Sequence, residues 1–168
     1  MNKLLIHSAS QILTIPGGPQ RGRELGRLGI IENGAVYIED GIIISVGPSA
    51  ELLQAHPDAP QLNAAGRAIL PGFVDPHTHL IWAGDRAAEF ELRLQGKTYL
   101  EILAAGGGIL STVRATRAAS QAELKAQTRR RARALLEHGT TTAEAKTGYG
   151  LDAASELTQL AALLELDT

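Results

Sequence analysis

The sequence predicts an α/β protein. Residues 1–68 read as a small β-rich domain, and residues 69–168 as the first units of a parallel strand–helix array. Three observations carry this reading. Short apolar runs separated by turn formers fill the first third of the chain. The stretch ILPGFVDPHTHL, residues 69–80, has the pattern of a buried strand ending in two histidines. After His79, capped helical stretches alternate with a β-branched run, as in successive βα units.

In the β-rich part, residues 3–6 and 11–15 are short strands, and a Gly/Pro/Arg loop follows from Pro16 to about Arg27. Residues 35–39 and 42–46 flank Asp40 and Gly41, the pair a type I′ hairpin turn prefers. Pro48 and Ser49 cap a short helix over about residues 50–56, stopped by Pro57. His7 and His56 lie in this part with no other ligand type clustered near them, which fits structural or solvated roles.

The strand of residues 69–80 carries the chemistry. Side chains alternate along a strand, so His77 and His79 face one way and Thr78 the other. Two imidazoles on one face at a strand end suit one borderline-soft divalent metal. Asp75 shares their parity and is placed to accept the second N–H of a ligating histidine. Pro76 gives no ladder hydrogen bond, so pairing should loosen there.

Thr98 and Glu101 form a capping box that opens a helix ending at Gly106, Gly107 and Gly108. Ser120 and Glu123 form a second box. Its helix places Leu124, Ala132, Leu135 and Leu136 on one stripe and the run Arg129, Arg130, Arg131 and Arg133 on a solvated face. His138 and Gly139 close this helix, where an imidazole suits the helix dipole. Residues 140–145 fit the next strand, with Glu144 and Lys146 on one face as partners. Asp152 caps a last helix with Leu157, Leu160, Ala161 and Leu164 at helical spacing. The triple glycine lacks the GxxxxGK[ST] pattern, so a phosphate cradle is not expected.

Metal ligands at a strand C-terminus are where a (β/α)8 barrel keeps its chemistry. The residues after His79 amount to well under half of the ~250 that such a barrel uses, so the expectation is about two βα units of an incomplete barrel. Composition narrows the class. With 168 residues, 44% apolar and 20% charged, the chain resembles an ordinary globular protein. A net charge of −2 gives no electrostatic case for nucleic acid or membrane binding. Without cysteine, disulfides and Cys-based zinc sites are excluded. The first ten residues lack the apolar run of a signal peptide, and a cytoplasmic location is expected.

Three blocks, PGFVDPHTHLIWAGDRAAEFELR, GKTYLEILAAGGGILSTVRATRAAS and HGTTTAEAKTGYGL, resemble the imidazolonepropionase family of the amidohydrolase superfamily. The likeness is dense over residues 70–151 and looser before them. The HxH strand end is shared across the superfamily; GGGILSTVRATR and EAKTGYGL are the specific parts. The resemblance implies a lobe of composite β-sandwich type and a metal-dependent amidohydrolase barrel. It implies opening of the imidazolone ring of 4-imidazolone-5-propanoate to N-formimidoyl-L-glutamate, in histidine degradation. One zinc or iron ion per subunit would be held by His77, His79, and a histidine and an aspartate beyond residue 168. The acid/base residues would also lie beyond residue 168. Arg86, Tyr149 and Tyr99 would bind the substrate, and a homodimer is implied.

The chemistry of these residues agrees. The planar fork of Arg86 matches the substrate's propionate, and Tyr149 sits between two glycines that permit close approach to a ring. Two readings compete. One is another superfamily hydrolase of cyclic amides or amidines, such as a guanine or adenine deaminase, against which Arg86 favours an anion. The other is an inactive fragment with a metal half-site.

Overall fold

The computed structural model describes residues 2–166. They form two compact units, one ending at Pro71 and the other starting at Gly72.

The first unit is a four-stranded sheet in the order β3-β2-β1-β4 beside one helix. Strand β1 (Lys3–Leu13) is continuous where two runs were expected. The break in its pattern is a bulge: the register against β2 (Ile30–Glu39) shifts between Ile6 and Ala9, and Ser8 takes a φ of 57°. The Ser8 N–H donates to Ser49 Oγ at 3.0 Å, and that hydroxyl donates to the Gly34 carbonyl at 2.7 Å. Ser49 therefore ties the bulge to the sheet. Helix α1 (Ser49–Ala55) starts after Pro48 without the side-chain cap the sequence suggested.

The hairpin between β2 and β3 (Ile42–Pro48) turns as expected, with Asp40 and Gly41 at φ 47° and 82°. Leu5, Ala35, Tyr37, Leu52 and Ala59 form the core beneath. His56 stacks on Tyr37 with centroids 3.5 Å apart, and His7 Nδ1 lies 2.8 Å from Ser8 Oγ. Both histidines are thus engaged within the lobe.

Strand β4 (Gln61–Asn63) pairs in parallel with β1 and was not foreseen, since three residues are too few for a periodic signal. The following apolar run also belongs here. Ile69 donates to the Gln11 carbonyl at 2.8 Å and accepts from Leu13 at 2.9 Å. The division after Pro71 thus falls three residues beyond the expected boundary at residue 68.

In the second unit, β5 (Phe73–Thr78) and β6 (Thr140–Ala145) pair in parallel, with Phe73 opposite Thr140 and Thr78 opposite Ala145. Helices α2 (Ala87–Leu94), α3 (Tyr99–Ala104), α4 (Ile109–Ala118) and α5 (Gln121–Glu137) make the crossover, and α6 (Ala153–Leu164) follows β6. Both capping boxes form: Thr98 Oγ1 accepts from the Glu101 N–H, and Ser120 Oγ from the Glu123 N–H. Helices α2 and α4 escaped the sequence reading because Arg86 and Gly108 stand at their N-caps with no side-chain cap.

Ile81, Ala83, Leu124 and Ala162 form the core, with Ala115, Ala119 and Leu163 packed against it. The expected apolar stripes are only partly buried. Leu136, Leu157, Leu160 and Leu164 are exposed, whereas Gln159 and Ala162 are the buried residues of α6. Phe73 and Val74 on the two-stranded sheet are 54% and 66% exposed. Parallel strands joined through helices, with apolar faces open on both layers, are the beginning of a (β/α)8 arrangement. No helix among the described residues is long and apolar enough to cross a membrane.

Candidate metal centre

The site is built where β5 leaves the sheet. Pro76 interrupts the ladder, and the register against β6 shifts between Asp75 and Thr78. The strand end is then fixed by two bonds to β6. Thr78 Oγ1 donates to the Glu144 carbonyl at 2.7 Å, and the Lys146 N–H donates to the Thr78 carbonyl at 2.8 Å.

Beside this clamp the rings of His77 and His79 stand 5.5 Å apart, inclined at 66°. Both residues are exposed. Asp75 does not take the expected position against an imidazole: its Oδ1 accepts the backbone N–H of His77 at 3.2 Å and fixes the turn of the chain. Glu144 pairs with Lys146, as their shared parity suggested. The Lys146 ammonium holds the Glu144 carboxyl below the ordinary carboxylate range, with the charges of His77 and His79 acting the same way.

The loop after β6 lies against the second histidine. The Tyr149 ring meets the His79 ring edge-on at 5.6 Å. A Cβ on Gly148 would stand 2.9 Å from His79 Cε1, so only glycine permits this approach. Two imidazoles from one strand end, edge-on to one another, fit two positions of a divalent metal's ligand sphere. Among the described residues, no group of three or more His, Cys, Asp and Glu could hold an ion.

Tyr99 lies by the triple glycine, whereas Arg86 is bound to α4. Arg86 Nε donates to Thr112 Oγ1 at 3.0 Å. Glu89 Oε1 accepts the Gly108 N–H at 2.9 Å, so a carboxylate occupies the amide a phosphate cradle would have offered. A Cβ on Gly108 would lie 3.9 Å from the Tyr99 hydroxyl, and Tyr99 is 54% exposed at the start of α3. Arg114 donates to the Gly106 carbonyl and closes the loop. The pair predicted for metal and the tyrosine of the second loop therefore meet, while Arg86 bonds Thr112 of α4 and Tyr99 lies near Gly108.

Three supporting residues went unread in the sequence. Arg131, expected on a solvated face, donates through Nη1 to the carbonyls of Leu80 at 3.3 Å and Trp82 at 2.9 Å. Its guanidinium also lies 3.5 Å over the Trp82 ring. Glu156 and Arg117 bond the backbone at Gly150. None has a local motif. His138, by contrast, caps α5 as expected, its Nδ1 2.7 Å from the Ala134 carbonyl.

Comparison with known proteins gives this geometry a context. Residues 34–59 match the model of an imidazolonepropionase-like composite domain of bacteria. The chain is 54% identical over 162 residues to an imidazolonepropionase of Herpetosiphon aurantiacus, covering 96% of this chain and 38% of that protein. It is 55% identical over 163 residues to one from Symbiobacterium thermophilum, covering 95% and 38%. The chain thus spans about two fifths of the length of the curated relatives it matches. Among solved structures, E. coli guanine deaminase is similar with a TM-score of 0.67 at 19% identity, over 99% of this chain and 33% of that one. The E241Q mutant of the atrazine chlorohydrolase TrzN from Arthrobacter aurescens, complexed with zinc and atraton, has a TM-score of 0.53 at 17% identity, over 97% and 33%. These last two likenesses concern the fold.

Proposed function

We propose that the chain belongs to the imidazolonepropionase family, to two of whose members it is more than 50% identical, and that the whole protein opens the imidazolone ring of 4-imidazolone-5-propanoate by hydrolysis. The observation that carries this reading is the sequence identity above 50% across nearly the entire chain, which includes both histidines and the Tyr149 loop. In this reaction one water adds across the cyclic amide. Its oxygen ends on the carbonyl carbon, the carbonyl carbon–ring nitrogen bond breaks, and that nitrogen takes a proton. The product is N-formimidoyl-L-glutamate, and the step belongs to histidine degradation in the cytoplasm.

Each residue has a part in this reading. His77 and His79 hold one zinc or iron ion per subunit, together with ligands supplied outside this chain. Such an ion supplies Lewis acidity toward a carbonyl and a water acidic enough to ionise near neutrality. The 5.5 Å separation of the two rings supports this pairing. Tyr149, edge-on to His79, borders the space where the ring would lie, with its hydroxyl available as a polar handle. Arg86 binds the propionate: its Nε is taken by Thr112, which leaves its terminal nitrogens to face a carboxylate. Tyr99, whose hydroxyl lies near Gly108, contributes a further polar contact to the substrate. The working unit is a homodimer.

The test is enzymatic. The whole protein, loaded with zinc or iron(II), is given 4-imidazolone-5-propanoate, and loss of the imidazolone absorbance is followed with guanine as a parallel substrate. Turnover of the imidazolone that stops on chelation is the expected result. Turnover of guanine alone would replace this reading with a purine deaminase.

A further inference from the structure

Tyr149 owes its place to its neighbours. The segment from Thr147 to Leu151 carries no regular secondary structure, and Leu151 sits at a φ of 56°, a left-handed conformation costly for a leucine. Such a turn persists only where surrounding groups hold it. Glu156, in the first turn of α6, does so from below: its Oε1 accepts the N–H of Gly150 at 2.7 Å and of Leu151 at 2.8 Å. Arg117 of α4 donates from its Nε to the Gly150 carbonyl and pairs with Asp152 at 3.0 Å. Both backbone groups of Gly150 are therefore taken. On the other side of Tyr149, Gly148 abuts His79.

We infer that Glu156 is a positioning residue for Tyr149: its carboxylate fixes the turn that sets the Tyr149 ring against His79, and so controls substrate affinity. The inference rests on the proposed contact between Tyr149 and substrate. A purely helical role does not account for Glu156. The N-terminus of α6 is already capped by Asp152, whose Oδ1 accepts the Ser155 N–H at 2.8 Å. Glu156 spends its Oε1 on the loop instead. Gly150 is packed for the same purpose, since a Cβ there would come within 2.8 Å of the Glu156 backbone nitrogen and Gln159 Nε2. The carboxylate stays charged at neutral pH. Burial pushes Glu156 up, but the Thr147 hydroxyl and the N–H groups of Leu151, Gly150 and Gly148 outweigh it and hold the group below its ordinary range.

The experiment is a double-mutant cycle in the metal-loaded whole protein, with KM and kcat for 4-imidazolone-5-propanoate and metal content as readouts. Glu156→Gln keeps the shape, removes the charge and so weakens the hydrogen bonds accepted from the loop amides. It should raise KM by about tenfold, with metal content unchanged. Tyr149→Ala alone should raise KM, and adding Glu156→Gln to it should change KM less than about twofold, because coupled residues are not additive. If the two effects multiply, Glu156 does not act through Tyr149 and the inference is overturned while the site reading stands. If Tyr149→Ala leaves KM unchanged, the site reading fails and the inference with it. Should Glu156→Gln not fold, Glu156→Asp, one methylene shorter, carries the same cycle with the same expected and overturning results.

Discussion

The ring of Tyr149 meets the ring of His79 edge-on at 5.6 Å, inclined at 66°. One residue ends the first parallel strand and the other follows the second, so the two strand exits converge on one surface. That convergence is fixed by backbone, through the Lys146 N–H on the Thr78 carbonyl and the Thr78 hydroxyl on the Glu144 carbonyl. A group bound by the histidine pair would therefore have an aromatic wall on the β6 side, and a change at either loop should be felt at the other.

His77→Ala or His79→Ala in the whole protein should remove both bound metal and activity. In the proposed reading each imidazole supplies one of the few ligands of a catalytic ion, and a vacancy among them is not filled by any nearby third donor in the described residues. Full metal occupancy of purified His77→Ala would exclude this residue as a ligand.

Arg86→Ala should lower kcat/KM at least about tenfold without altering metal content, since a lost charged hydrogen bond costs about 1.5–3 kcal/mol. Arg86→Lys should recover little, because a point charge cannot reproduce the bidentate fork. Unaltered kinetics for Arg86→Ala would take this residue out of the substrate site.

What could be read in advance was local. The parity of His77 and His79, the Asp40–Gly41 turn, and the boxes at Thr98 and Ser120 each depend on residues within four positions of one another, and all appear in the structure. What escaped depends on partners far along the chain. Ile69 looked like the start of the second unit's strand but bonds to Gln11 and Leu13. Arg131 looked solvated within an arginine run but reaches back 49 and 51 positions to two carbonyls. Glu156 has no motif at all, because an irregular loop that needs an acceptor is visible only once folded.

Arg131 fixes the chain just after β5, so Arg131→Met should free residues 80–82. The lost stacking and charged hydrogen bonds should cost about 2 kcal/mol or more. The emission of Trp82, the protein's one tryptophan, should shift to the red as its ring loses this cover. An unchanged spectrum and an unchanged urea midpoint would show that Arg131 contributes nothing to this segment.

Acid should weaken the fold through its caps. Backbone N–H bonds from Thr98 and Ser120 hold Glu101 and Glu123 below their ordinary range, and the Ser155 N–H does so for Asp152. A carboxyl whose folded pKa is depressed contributes stability that is complete above its unfolded value of about 4.3 and disappears as pH falls through the lower folded value. Glu123→Gln should therefore lower the urea midpoint at pH 7, and the difference from the parent should shrink toward pH 3. A difference that is constant with pH would remove the Glu123 charge from the account.

The 168-residue chain by itself should not open the imidazolone ring. A catalytic zinc site usually has three protein ligands and an open position, whereas the described residues offer the single pair His77 and His79. The two-stranded sheet also leaves Phe73 and Val74 largely open, and α6 leaves Leu157 and Leu164 at 64% and 79% exposure. Exposed apolar side chains and unpaired strand edges of this kind promote association. The isolated chain should therefore bind zinc weakly and sediment as aggregates that detergent or low concentration relieves. Turnover of 4-imidazolone-5-propanoate by a monodisperse preparation, abolished by His79→Ala, would mean that other residues of this chain complete the site.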